Sequence, residues 1–141
     1  MASKIITDRQ EELGKWLCDR TGATHIPGQG WYIGNELNDR LVGVVGFDNY
    51  TGGSIAMHVA GEGKRWLTRN FLWFVFYYPF EQLKVNKIIG LVDSKNETAR
   101  DFDLKLGFVQ EACIKGAGRD GDLLILTMDK EQCKFLTIGR P

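Results

Sequence analysis

Residues 94–108 read SKNETARDFDLKLGF. Ser94 and Glu97 have the spacing of a capping box, in which a hydroxyl and a carboxylate satisfy free backbone amides at a helix start. Ala99, Phe102 and Leu106 recur at helical spacing and make one apolar stripe. Gly107 stands where a left-handed residue ends a helix. The stretch predicts one amphipathic helix with both ends marked.

The neighbours on either side extend the pattern. NKIIGLVD (86–93) is a short apolar run and reads as an interior strand. LTRNFLWFVFYYPFEQL (67–83) is long enough for a helix and apolar nearly all round, which suits a buried central position. SIAMHVA (54–60) reads as a strand, so 54–93 is a strand–helix–strand unit that calls for a parallel pair with a right-handed crossover. WYIGNEL (31–37), a polar turn at Asn38–Asp39, DRLVGVVGFDNY (39–50) and the turn TGG (51–53) predict antiparallel hairpins. FVQEACIKG and DLLILTMD flank AGRDG as a further hairpin, and KEQCKFL reads as a short final helix. At the other end, ITDRQEELGKWLCDRTG predicts an amphipathic helix. Thr7 and Gln10 would form a capping box, Leu13, Trp16 and Leu17 the apolar face, and Gly22 the stop, before the loop THIPGQG. The order α, β, β, β, α, β, α, β, β predicts a single α+β domain over 1–141 with a mixed, mostly antiparallel sheet.

Composition narrows the partners. Lys plus Arg number 18 and Asp plus Glu number 18, so no nucleic acid and no anionic membrane is expected as a partner. Cys18, Cys113 and Cys133 are odd in number and scattered, and His25 and His58 are the sole histidines. That pattern predicts neither a disulfide framework nor a metal site, and fits a cytoplasmic protein. The most apolar stretch, FLWFVFYYPF (71–80), is too short to span a bilayer, and the start MASKIITDRQEEL lacks a signal-peptide core.

One further stretch suggests an anion site. HVAGEGKRWLTRNF (58–71) is a glycine turn running into a helix start, the usual place where a backbone holds phosphate. It is neither a P-loop nor a GxGxxG fingerprint, so by itself it names no ligand.

The form S-x-N-x-x-A, seven residues, then G-F at 94–108 closely resembles the second cofactor motif of the GNAT acetyltransferase superfamily. It lies one strand after the glycine turn, as in that family, and the order of elements over about residues 5–130 matches as well. The chain is most similar to the short bacterial and phage members, and in this reading it begins at a helix, without the family's first strand. The resemblance implies a GNAT-type sheet with one splayed parallel strand pair and helices on both faces. It also implies acetyl-CoA as acyl donor, with no metal. Strand 54–60 would splay from strand 86–93 and bond the pantetheine arm through backbone at 57–60, including Val59 and Ala60. The pyrophosphate would lie on backbone amides of Gly63, Lys64, Arg65, Trp66, Leu67, Thr68 and Arg69, with Asn96 bonding cofactor amides. Trp66 stands where the family has a glycine; its ring would stack on adenine or sit in the core or at its rim.

The resemblance further implies direct attack by an amine on the thioester in a ternary complex. A backbone N–H near Val59 would stabilise the oxyanion. The family's general acid, a tyrosine seven residues after the motif asparagine, is replaced here by Asp103. At 100° per residue Asn96 and Asp103 fall about 20° apart on one helix edge, so Asp103 points to the cofactor side. It acts as acid if burial raises its pKa; otherwise it caps or pairs. His58, in the strand beside the expected thioester, is the candidate base, the alternative being a structural histidine. Asn96 has a competing role in a local bond to the backbone. The acceptor would lie between the first helix, loop 21–30 and the 116–121 hairpin, near Asp19, Arg20, His25, Arg119 and Asp120. The expected activity is N-acetyl transfer to a primary amine of a protein or small molecule. The alternatives are a GNAT fold that holds acyl-CoA or a host protein without turnover, and an α+β interaction protein with an accidental motif. A homodimer remains open.

Overall fold

The computed structural model describes residues 3–21 and 29–137. In chain order come strand β1 (Ser3–Ile6), helix α1 (Gln10–Thr21), strands β2 (Trp31–Leu37), β3 (Arg40–Asp48) and β4 (Ser54–Gly61), helix α2 (Arg69–Tyr77), strand β5 (Lys87–Asp93), helix α3 (Glu97–Leu106), strands β6 (Val109–Ile114) and β7 (Leu123–Asp129), and helix α4 (Lys134–Thr137). They form one 7-stranded sheet in the order β1-β2-β3-β4-β5-β7-β6. Every neighbouring pair is antiparallel except β4–β5, as the strand–helix–strand unit requires.

That parallel pair is short. β4 and β5 are in register only over Ser54–Ala56 and Lys87–Ile89. Beyond it β4 runs on to Gly61 and β5 to Asp93. The backbone of 57–61 stays paired with β3 on one side and, among the described residues, has no strand partner on the other, so the predicted splay is present.

Helices cover both faces. α1 buries Leu13 and Leu17 against Tyr32, Leu41 and Val44. On the opposite face Phe71, Val75 and Phe76 of α2 join Val45, Phe47, Ile88, Leu126 and Met128 in the larger core. The predicted helix 67–83 is α-helical to Tyr77 and continues as one π-helical turn, Tyr78–Gln82. Pro79 lies inside that turn, where its missing N–H and ring disfavour a regular α-helical continuation. No helix among the described residues is long and apolar enough to cross a membrane.

Three local expectations are corrected. The chain does not begin at a helix: Ser3–Ile6 form an edge strand on β2. Four residues are too few to show a period, and the pairing is made by backbone. Thr7 and Gln10 form no capping box. Gln10 instead bonds β2 through both amide atoms, donating to the Tyr32 carbonyl at 2.8 Å and accepting from the Tyr32 amide at 2.8 Å, and so pins α1 to the sheet. The N-cap of α3 is Asn96, not Ser94: Asn96 Oδ1 accepts from the Ala99 amide at 3.1 Å. Ser94 Oγ accepts from the Asp122 amide instead. The predicted end holds, with Gly107 at φ 114. The Gly22 stop lies outside the described residues.

Candidate active site

The splay opens into a cavity of about 680 Å³. Its walls come from β4 (Met57–Gly61), β5 (Gly90–Asp93), α3, the end of α1 and the β6–β7 turn. Of the residues singled out in the sequence, His58, Val59, Ala60, Trp66, Asn96 and Asp103 line it. Gly63, Lys64, Arg65, Leu67, Thr68 and Arg69 form the turn into α2 and lie outside the lining. Thr68 caps α2, its hydroxyl accepting from the Phe71 amide at 3.2 Å. α2 carries no acidic residue in its first turn, so nothing on the helix itself opposes an anion at its positive end. Lys64, Arg65 and Arg69 are exposed around it.

Trp66 is a core residue. It is 8 % exposed, stacks on Phe102 at 5.5 Å and meets Phe71 edge-on. The ring lies directly over Gly61, where a Cβ would come within 2.1 Å of it; only glycine admits this approach. Asn35, fully buried, donates to the Trp66 carbonyl at 2.8 Å. The ring is packed in the core and also lines the cavity.

His58 and Asp103 reach the cavity from opposite faces of the sheet. His58 is directly opposite Gly46 in the β3–β4 pairing, and a Cβ at Gly46 would meet Leu17 and Tyr32, so both belong to the α1 face. Asp103 sits on α3 over Gly90 of β5, where an added Cβ would come within 3.2 Å of Asp103 Oδ2.

The two differ in their surroundings. His58 Nε2 is 2.9 Å from Asp48 Oδ1, and the side chains are only 9 % and 14 % exposed. The sequence reading treated His58 as a lone histidine and missed Asp48, ten positions away. The signal lay in the register, since Asp48 faces Ala56 and is thus a same-face diagonal neighbour of His58. Among the described residues the Asp103 carboxylate neither caps a helix nor pairs with a cation. Burial pushes its carboxyl up from the ordinary 3.8 to about 7, because desolvation disfavours the charged form.

Two fixed loops complete the rim. The Asp93 carboxylate accepts from the amides of Lys95, Asp120 and Gly121. These bonds hold it below the usual carboxylate range, the Asp120 amide contributing most. They clamp the β6–β7 turn to the start of α3 and place Arg119 and Asp120 in the lining. Arg20, also in the lining, is held by two bonds to Glu62 Oε1 at 3.0 and 2.8 Å and lies over the Trp16 ring at 3.7 Å. Arg119, Asp120 and Arg20 stand where the acceptor was expected. His25 lies outside the described residues. Among the described residues no group of three or more His, Cys, Asp or Glu is placed to hold a metal.

No protein-family model matches this chain, and no curated protein matches it by sequence. Solved structures do match in fold. A spermidine/spermine N-acetyltransferase, SpeG from Vibrio cholerae, in mutant forms, aligns over 99 % of this chain and 100 % of its own with a TM-score of 0.72 at 18 % identity. The N-acetyltransferase PseH from Campylobacter jejuni, in complex with acetyl coenzyme A, aligns over 73 % of this chain and 70 % of its own with a TM-score of 0.55 at 20 % identity. Another structure of PseH aligns over 91 % of this chain and 98 % of its own with a TM-score of 0.62. The splayed parallel pair, the helices on both faces and these likenesses identify the fold of the chain as that of the GNAT N-acetyltransferases.

Proposed function

We propose that this protein is an N-acetyltransferase that moves an acetyl group from acetyl-CoA to a primary amine by direct attack. The observation that carries the reading is the cavity in the β4–β5 splay, with a histidine–aspartate pair on one face of the sheet and the partly buried Asp103 carboxyl on the other. The fold likeness to PseH, solved with acetyl coenzyme A, supports the donor.

The unpaired backbone of β4 around Val59 and Ala60 offers amides and carbonyls to the pantetheine arm. The turn 63–69 and the positive end of α2 suit the pyrophosphate, with Lys64, Arg65 and Arg69 able to add charge-assisted bonds. The amine arrives from the α1 face. Its nitrogen forms a bond to the thioester carbon while His58 takes the nitrogen's proton. A backbone N–H near Val59 bonds the oxyanion. The C–S bond then breaks, and Asp103, on the far face, gives its proton to the departing sulfur. The products are an amide and free CoA thiol, and solvent returns the proton from His58 to Asp103. An acid here is helpful rather than mandatory, since thiols are fair leaving groups (pKa about 8.5). Asn96 lines the cavity, but its Oδ1 is committed to capping α3; its Nδ2 is the atom we assign to the cofactor.

The acceptor belongs to the α1 side. SpeG acts on spermidine and spermine by its description. In this cavity Arg20, Lys95 and Arg119 stand against Asp93, Asp103 and Asp120, and Asp93 is already bonded by backbone. Such a lining does not attract a polycation, which favours an amine on a less charged body.

The test joins stability and turnover. A ligand at 100 times its Kd adds about 2.7 kcal/mol to native stability. Millimolar acetyl-CoA is expected to raise the melting temperature, and an amine panel to release CoA thiol. Absence of a thermal shift would defeat acyl-CoA binding. A shift without thiol release from any amine would leave the chain as a module that binds acyl-CoA without turnover.

A further inference from the structure

We propose that Asp48 is a positioning residue for acetyl transfer, holding the His58 ring so that Nε2 carries the proton and Nδ1 the lone pair. The proposal rests on the acetyl-transfer reading and concerns a residue that touches His58, not the reacting atoms.

The geometry supports it in three ways. The Nε2···Oδ1 distance is 2.9 Å, and a carboxylate can only accept, so Nε2 must donate. The two ring nitrogens of histidine are distinct, and the bond made by one decides which state the other is in. With Nε2 protonated, the neutral ring has its basic pair on Nδ1. Second, the pair is shielded, with side chains 9 % and 14 % exposed, so water competes poorly for either partner. As the ring takes up the amine's proton it becomes a cation beside an anion, and the bond becomes charge-assisted at both ends. Third, the sheet sets the approach. His58 is opposite Gly46 and Asp48 opposite Ala56. The position across from His58 therefore has no side chain, and the ring meets its diagonal neighbour instead.

Other charged groups line the same cavity, namely Arg20 from α1, Asp93 from β5, Lys95 just before α3, Asp103 from α3, and Arg119 and Asp120 from the β6–β7 turn. Of the acidic ones, Asp93 is bonded to backbone amides and Asp103 lies over Gly90. Asp48 is the carboxylate bonded to the ring.

The experiment uses the full chain with Asp48→Ala and Asp48→Asn. Nitrogen-15 NMR of the imidazoles reads the ring directly, because the chain has two histidines and a His25→Ala variant assigns them. In the wild type the His58 Nε2 proton is expected to be present and protected from exchange, and in Asp48→Ala to be lost. Steady-state kinetics with acetyl-CoA and an active amine should show kcat reduced about 10- to 100-fold in Asp48→Ala with both KM values unchanged, a part of what a general base contributes. Asp48→Asn keeps an acceptor oxygen without the charge and should fall between the two. It also serves where the alanine variant does not fold. A wild-type ring protonated at Nδ1 alone, or unchanged kcat in both variants of an active enzyme, would overturn the proposal. Absence of turnover by the wild type defeats the acetyl-transfer reading first, and the catalytic role of Asp48 with it.

Discussion

Replacing Asp103 with asparagine tests the acid side of the site by stability as well as by rate. Burial raises the carboxyl from 3.8 to about 7 in the folded chain, whereas the unfolded chain keeps the ordinary value. The native state then binds more protons than the unfolded state between these two values, so stability falls as pH rises through that window. The loss is complete above about pH 7 and absent below about pH 4. With each pH unit worth about 1.4 kcal/mol, the linkage costs the wild type about 2 to 3 kcal/mol between pH 5 and 8. An amide does not titrate, so Asp103→Asn should not show this loss. The assay is urea unfolding of both proteins at pH 5, 6, 7 and 8. All other groups cancel in the difference, so the variant should gain on the wild type steadily across the window. Activity should follow the same group: wild-type kcat loses its acid contribution above about pH 7, and the variant lacks that limb. A stability difference that stays constant from pH 5 to 8 would refute the desolvation argument and, with it, the role of Asp103 as proton donor.

Three further outcomes test the packing around the cavity. Trp66→Ala removes a buried ring and should cost about 3 to 5 kcal/mol by urea unfolding, and Gly61→Ala, which drives a methyl into that ring, should cost about 1 to 3 kcal/mol. Asn96→Ala should lose about 1 kcal/mol with the helix cap. Asn96→Ser should restore stability but not KM for acetyl-CoA if Nδ2 bonds the cofactor. Asp93 is held below the usual carboxylate range by backbone amides, so it stabilises the fold above the unfolded value and that contribution is lost as pH falls through its own. The protection factors of the Asp120 and Gly121 amides, corrected for the intrinsic pH dependence of exchange, should therefore fall in acid in the wild type and be low at all pH in Asp93→Ala.

The sequence alone determined what depends on local order. Residues 94–108 carried their helix, its apolar stripe and the Gly107 stop, because periodicity and caps act within a few residues. The strand–helix–strand unit at 54–93 carried the parallel pair, because handed crossovers allow few topologies. The resemblance of 94–108 to the GNAT cofactor motif implied that His58, Asn96 and Asp103 share one opening, and all three line the cavity. Tertiary structure decided the rest. Ser3–Ile6 became a strand because β2 offered a free edge, not because four residues prefer one. Trp66 went into the core because Gly61 and Gly43 leave a trough for its ring. Asp48 met His58 because the β3–β4 register set them on one face, and register is a long-range property. Asp103, an acid only if burial raised its pKa, met that condition because α3 laid it, partly buried, over Gly90. Desolvation is set by what packs around a group, and a sequence lists the group without its surroundings.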